Sequence, residues 1–369
     1  MTGQGHRSFV DGLARFAADR ADLRVTAIAE RAAAPLRVAV RGRPGVGCRT
    51  VARALDRAGL ASGISATPGA TGATKAACDA DIVLYVTTEV VKPEDSDAIA
   101  AAGRPVLAVL NKADLAGSLS GRAGDGPIAL ARTHCAEFSA LVGVPMEPMI
   151  GLLAVAALDD LDTALWAALR ALAADPGGAT CLDGSFAGFL AANVAVPTDV
   201  RLRLLEALDL FGTALGIAAV RQGRTPAQVR ALLRRMGGVD AVLDRIAVVG
   251  AEVRYRRVLA AVAELEALAV GTAALGERIS GFLSSDETVV ARMEAAVDLA
   301  EAAGLEVDPV KLDRDDPAAH LPRAVCWQRY TRGGLGPVSD LHRACGADIA
   351  RGSLRLWSQA CGSLPGESW

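Results

Sequence analysis

Three short apolar runs, at residues 36–40, 81–86 and 105–110, interrupt an otherwise helical hydrophobic pattern in the first half of the chain. Each is too short for a helix and long enough for a buried strand. Around them, residues 51–60, 93–102, 128–142 and 152–173 place apolar side chains at helical spacing. Strands alternating with helices predict a parallel sheet flanked by helices, because every parallel connection needs a crossover. Residues 145–149 add a short edge strand, since Pro145 and Pro148 cannot occupy a central ladder.

The chain has 369 residues, 51% hydrophobic and 22% charged, which supports a large core and about two domains. The net charge of −3 excludes a globally basic nucleic-acid binder, and no sequence-specific nucleic-acid contact is expected. The most apolar helical run, 258–275, carries Glu264 and Glu266, so no membrane-spanning helix is expected. Arg7, Asp11, Arg15, Asp19 and Arg20 interrupt the N-terminus, which rules against a secretory signal. The seven cysteines, at 48, 78, 135, 181, 326, 345 and 361, form no CxxC pair. Their usage points to a reducing, cytoplasmic setting.

Residues 1–34 read as helix, with Phe9, Leu13, Phe16, Leu23 and Ile28 on one face. Asp175-Pro176-Gly177-Gly178 reads as a boundary. The expected organisation is an N-terminal helix (1–35), an α/β domain (36–175) and an all-α domain (176–369). In the last of these, Thr225-Pro226 starts a helix that Gly237-Gly238 closes, and Ser284 with Glu287 forms a capping box. Residues 247–249 are the one strand-like run there, 308–322 read as an acidic loop, and final helices are expected at 323–331 and 338–360.

The first strand runs into Gly42-Arg43-Pro44-Gly45-Val46-Gly47 and then a helix. Strand, glycine-rich turn and helix N-terminus form the physical recipe for binding phosphate, because backbone N–H groups and the helix dipole converge on an anion. Gly42-x4-Gly47 has the Walker A spacing, but Cys48 and Arg49 stand where Lys and Ser/Thr belong, followed by Thr50. The third strand ends in Asn111-Lys112-Ala113-Asp114. At the carboxyl end of a parallel strand these residues face the ligand crevice. Asp114 there can accept from the N1–H and amino group of guanine. Asn111 can bond the base and brace the glycine-rich loop, and the Lys112 stem can cover the base plane.

With these motifs residues 36–173 resemble the translation-factor class of P-loop GTPases, in the style of Era, TrmE and bacterial dynamin-like G domains. The resemblance implies an α/β P-loop NTPase-like G domain followed by a helical domain. It implies phosphate contacts from Gly42, Gly45, Val46, Gly47, Cys48, Arg49 and Thr50. It also implies guanine contacts from Asn111, Lys112 and Asp114, with backbone N–H groups at Ile150-Gly151 in the place of the fifth motif. Ser139-Ala140 is a decoy inside a helix. Ala66-Thr67-Pro68-Gly69 resembles the switch motif with Ala66 in place of its Asp, and the Gly-rich segment 61–74 takes the place of the switches. The lysine, the loop hydroxyl and the switch carboxylate are all altered, so little support for Mg2+ remains and no catalytic residue is assigned.

GTP or GDP is therefore the expected ligand of a degenerate GTPase that regulates or scaffolds. Its expected partner is a protein, either an active GTPase of the same class or a second copy. One alternative is an unconventional active GTPase in which Arg49 replaces the lysine and Thr50 moves to the metal. Another is a nucleotide-free helical module at a membrane surface. The nine arginines of 221–257, with Arg254, Arg256 and Arg257 clustered, could meet anionic lipid or pair with the acidic loop. Cys48, at a helix N-terminus beside Arg49, is expected to have a lowered pKa. Trp327, Tyr330 and Trp357 could pack the last helices or form an interface.

Overall fold

The computed structural model describes residues 3–19, 22–60, 63–68, 80–117, 126–159, 161–178, 185–271, 273–305, 317–333 and 339–362. They form two compact units, one made of Pro35–Ile246 and one of Met1–Ala34 with Ala247–Trp369.

The sheet unit contains β1 (Leu36–Gly42), α3 (Cys48–Gly59), β2 (Ile64–Pro68), β3 (Ile82–Thr87), α4 (Pro93–Ala100), β4 (Val106–Asn111), α5 (Pro127–Val142), β5 (Met146–Met149), α6 (Gly151–Leu158), α7 (Thr163–Ala174), α8 (Phe186–Ala191), α9 (Thr198–Arg221), α10 (Pro226–Gly237) and most of α11 (Val239–Val249). Helices α1 (Gln4–Ala18) and α2 (Leu23–Ala33) precede it. The other unit adds α12 (Ala251–Ala269), α13 (Ala273–Ser284), α14 (Asp286–Ala302), α15 (Pro317–Thr331) and α16 (Asp340–Gly362).

The five strands lie in the order β2-β1-β3-β4-β5, every pair parallel. Every residue of β3 and β4 is buried, as expected of strands covered on both faces. β5 is an edge strand, as Pro148 within it favours. The sheet's larger core joins Leu110, Ile150, Leu153, Leu169, Leu204, Leu208 and Ile217. A smaller one joins Val83, Tyr85, Ile99 and Val106.

Several expectations are corrected. Residues 64–68, read as part of a loop, form the edge strand β2, with Ala66 opposite Val38. Residues 61–62 and 69–79 of that segment lie outside the described residues, as do most of the 117–126 loop, residues 308–316 and the cysteines at 78 and 181. The compact units do not divide at 175. Residues 185–246 join the sheet unit because α9 and α10 pack closely on α6, and a Cβ on Gly238 would lie 2.7 Å from the Pro148 carbonyl oxygen of β5. A Cβ on Gly212 would lie 2.3 Å from Leu153 Cδ2, and one on Gly237 would lie 2.8 Å from the Ala154 nitrogen. Residues 247–249 are helical, at the end of α11. The cap of α14 is Ser285 rather than Ser284, since its side chain accepts from the Thr288 N–H. α15 starts at Pro317 and carries Pro322 inside it. Residues 1–34 hold two helices rather than one, and 152–173 divide between α6 and α7.

In the helical unit Phe9, Leu13, Val25, Ile28, Tyr255, Leu265, Met293 and Ile349 share one core. Within it Asp348 accepts from Tyr255 Oη at 2.9 Å and from Arg292 Nη2 at 2.7 Å, so the buried carboxylate is paired.

Candidate functional site

β1 is followed by a neighbour on one side, β2, and then by one on the other, β3. Open parallel sheets bind ligands at such a reversal, outside the carboxyl ends of the strands. Three segments leave the sheet there: the loop 43–47 after β1, the turn 88–91 after β3 and the segment 112–115 after β4.

The loop is held by close approach. A Cβ on Gly42 would lie 2.3 Å from the Val86 carbonyl oxygen. Gly47, with φ of 91°, caps α3, and a Cβ on it would lie 2.5 Å from Asn111 Nδ2. Gly45 faces open space, whereas Val46 is buried. The first turn of α3, Cys48-Arg49-Thr50, presents N–H groups that have no partner within a helix. The Cys48 thiol is half-buried. Its Sγ lies 3.0 Å from where a Gly42 Cβ would be, and burial pushes its pKa up, which overturns the expectation of an activated thiolate. Arg49 is exposed and makes no ion pair among the described residues. The Thr50 methyl is turned toward α6, 3.5 Å from a Cβ placed on Gly151.

Asn111 connects both halves of the crevice. Its Nδ2 donates to the Val46 carbonyl at 2.8 Å, and its Oδ1 accepts from the Gly151 N–H at 3.0 Å. Lys112 is exposed and left-handed, with φ of 55°, and it starts a 3-10 turn, Ala113–Ala116. That turn buries Asp114 to 7% exposure. Burial, and then the charge of Asp209, push the Asp114 carboxyl above its ordinary range. The amides expected to face a base are already engaged. Ile150 N–H donates to Gly237 O at 3.0 Å and Gly151 N–H to Asn111, so neither is free in this state. Ser139 lies within α5, its hydroxyl bonded to Val144 O at 2.8 Å, consistent with its reading as a decoy.

Two residues tied to these segments were not legible in the sequence. Asp95, fully buried on α4, accepts from Arg43 Nε at 2.8 Å, from Tyr85 Oη at 2.8 Å and from Lys92 N–H at 2.9 Å. Burial alone would raise its pKa, but these donors outweigh burial and lower it. The position of Asp95 in the first turn of a Pro-initiated helix was the available signal, but its partner Arg43 lies 52 residues away. Asp209 is the second. It interrupts α9 with φ of 59° and ψ of −177°, a region nearly restricted to glycine, and its Oδ1 accepts from Leu210 N–H at 2.6 Å. Nothing in its local sequence marks it.

The arginine cluster is largely turned to structural use. Arg254 Nη1 donates to Ala247 O at 3.1 Å, Arg256 pairs with Glu252 at 2.8 Å, and Arg257 donates to Ala34 O. Trp327 packs edge-on against Tyr330 with ring centroids 5.3 Å apart. Among the described residues no group of three or more metal-ligating side chains converges, and no helix is long and apolar enough to cross a membrane. No family model, no curated protein and no solved structure matches the chain.

Proposed function

We propose that the sheet unit is a degenerate P-loop GTPase-like domain that binds GDP or GTP, hydrolyses little and acts through a protein partner. The observation that carries this reading is the double bond of Asn111. One side chain at the end of β4 ties both the Gly42–Gly47 loop and the start of α6, so the glycine-rich loop and the turn that carries Asp114 are held in one frame. Asp114 is a desolvated acceptor at that frame, suited to the paired N–H donors of guanine.

The residues present do not fit Mg2+. Arg49 and Ala66 replace oxygen donors, and Ala66 lies buried inside β2. Phosphoryl transfer relies on positioned positive charge, and Cys48 supplies none. The Thr50 methyl faces α6, which argues against its shifting to a metal in an active variant of the site.

Titration calorimetry with GDP, GTP and ATP, each with and without Mg2+, tests the proposal. Guanine-selective binding that ignores Mg2+ and disappears in Asp114→Ala is the expected result. Absence of heat with every nucleotide in folded, nucleotide-free protein overturns it.

A further inference from the structure

A cleft of about 410 Å³ opens in the sheet unit beside β5, between α5 and the α10–α11 turn. Its volume lies within the range of small-molecule sites. Its apolar lining includes the half-buried Ile128, Pro148 and Met236. Methionine side chains adapt their shape to flat apolar groups. The turn that closes one end is anchored, because Gly237 O accepts from Ile150 N–H at 3.0 Å.

The charges around the cleft do not cancel. Asp240 is engaged by Arg234 through three contacts, at 3.1, 2.9 and 2.6 Å. Glu147 is engaged by Arg245 of α11, at 3.1 Å and 3.0 Å. Both acidic groups of the lining are thus neutralised by neighbours. Arg132 on α5 and Arg235 on α10 remain, both exposed and neither in an ion pair among the described residues. Two guanidinium groups from different helices therefore flank an apolar lining. Guanidinium is the side chain best shaped to take a carboxylate or phosphate through paired hydrogen bonds.

We infer that this cleft binds a small organic anion, with its flat apolar body on Ile128, Pro148 and Met236 and its charged group between Arg132 and Arg235. The site is separate from the guanine reading and stands without it, since no residue assigned there to phosphate or base lines it.

The test uses the full chain and 1-naphthalenesulfonate as probe, with 1-naphthylmethylammonium as the cation of matching shape. Saturable binding of the sulfonate with one-to-one stoichiometry is expected, with the ammonium failing to compete. In Arg132→Ala/Arg235→Ala the dissociation constant rises at least about tenfold, and Arg132→Lys/Arg235→Lys recovers part of the loss. Both arginines are exposed, and unchanged thermal melts confirm that the variants fold. The inference is overturned by no saturable binding, by equal affinity in the alanine double variant, or by equal binding of the ammonium. Nucleotide enters none of these measurements, so failure here and failure of guanine binding are separately visible.

Discussion

The Asn111 side chain donates to the carbonyl of Val46 across 65 residues of sequence, at 2.8 Å, from inside the fold. A buried carbonyl and a buried N–H, that of Gly151, depend on the same amide. The glycine-rich loop is thus held from β4 and not only by its own turns. Leaving a buried polar group unsatisfied costs about 1–3 kcal/mol. Asn111→Ala orphans two and is expected to lower unfolding free energy by about 2–6 kcal/mol on that basis. Asn111→Asp can still accept from Gly151 and should lose less. Chemical denaturation measures both, and an unchanged midpoint in the alanine variant would refute the tie.

Asp95 holds the same loop through Arg43. Removing one member of a buried ion pair leaves the other charge uncompensated, at about 3–5 kcal/mol. Asp95→Ala should reach that range, because Arg43 is only 23% exposed and Tyr85 also loses its acceptor. Asp95→Asn keeps an acceptor for Lys92 N–H and should fall between. If Asp95→Ala melts like the unsubstituted protein, the lock is not structural.

Gly42→Ala tests the close approach of β1 and β3. The added methyl meets backbone, the Val86 carbonyl, and not a side chain that could swing aside. A loss of about 3 kcal/mol is expected, together with disturbance of the loop, readable as faster amide exchange at residues 43–47. Tolerance of the substitution would mean that the strand ends are less tightly apposed.

His6 makes the helical unit sensitive to acid. Burial, and then nearby Arg254, push its pKa down to about 4, and its Nε2–H donates to Ala32 O at 3.0 Å. The unfolded chain takes up the proton near the ordinary value of 6.5, while the native state stays neutral until about pH 4. Stability from the neutral imidazole is therefore full above pH 6.5 and is lost as pH falls toward 4, by about 3 kcal/mol in all. In His6→Gln the part of the stability–pH slope in that window should vanish. A slope identical to that of the parent would show that His6 does not titrate in this way.

Asp114 is expected to separate stability from binding. Its carboxyl is raised by burial and by Asp209, so the native state holds the proton more tightly than the unfolded chain. Stability then falls as pH rises from the ordinary carboxylate range through the raised value, and the ionised group is a burden at neutral pH. Asp114→Asn should melt at or above the parent temperature at pH 7 while guanine nucleotide binding is lost. A variant that is both less stable and fully competent in binding would contradict the role given to this carboxylate.

Much of the sheet was legible because its signals are local. The apolar runs that became β1, β3 and β4 are continuous, and Thr225, Pro226 and Gly238 delimit α10 by cap chemistry alone. β2 was not legible. Its five residues lie among glycines and carry only a weak alternation, and pairing along the free edge of β1 makes them a strand.

The site divides in the same way. Strand, glycine-rich turn, helix and Asn-Lys-Ala-Asp could be read from sequence because each motif is contiguous, and the structure puts the first turn of α3 after β1 and Asn111 at the end of β4. Only the tertiary structure decided that the Ile150 and Gly151 amides are already engaged and that Arg43 is tied to Asp95. It also decided that residues 185–246 belong with the sheet. These relations join positions tens of residues apart, and they arise from burial, which leaves each polar group only the partners that packing brings within reach.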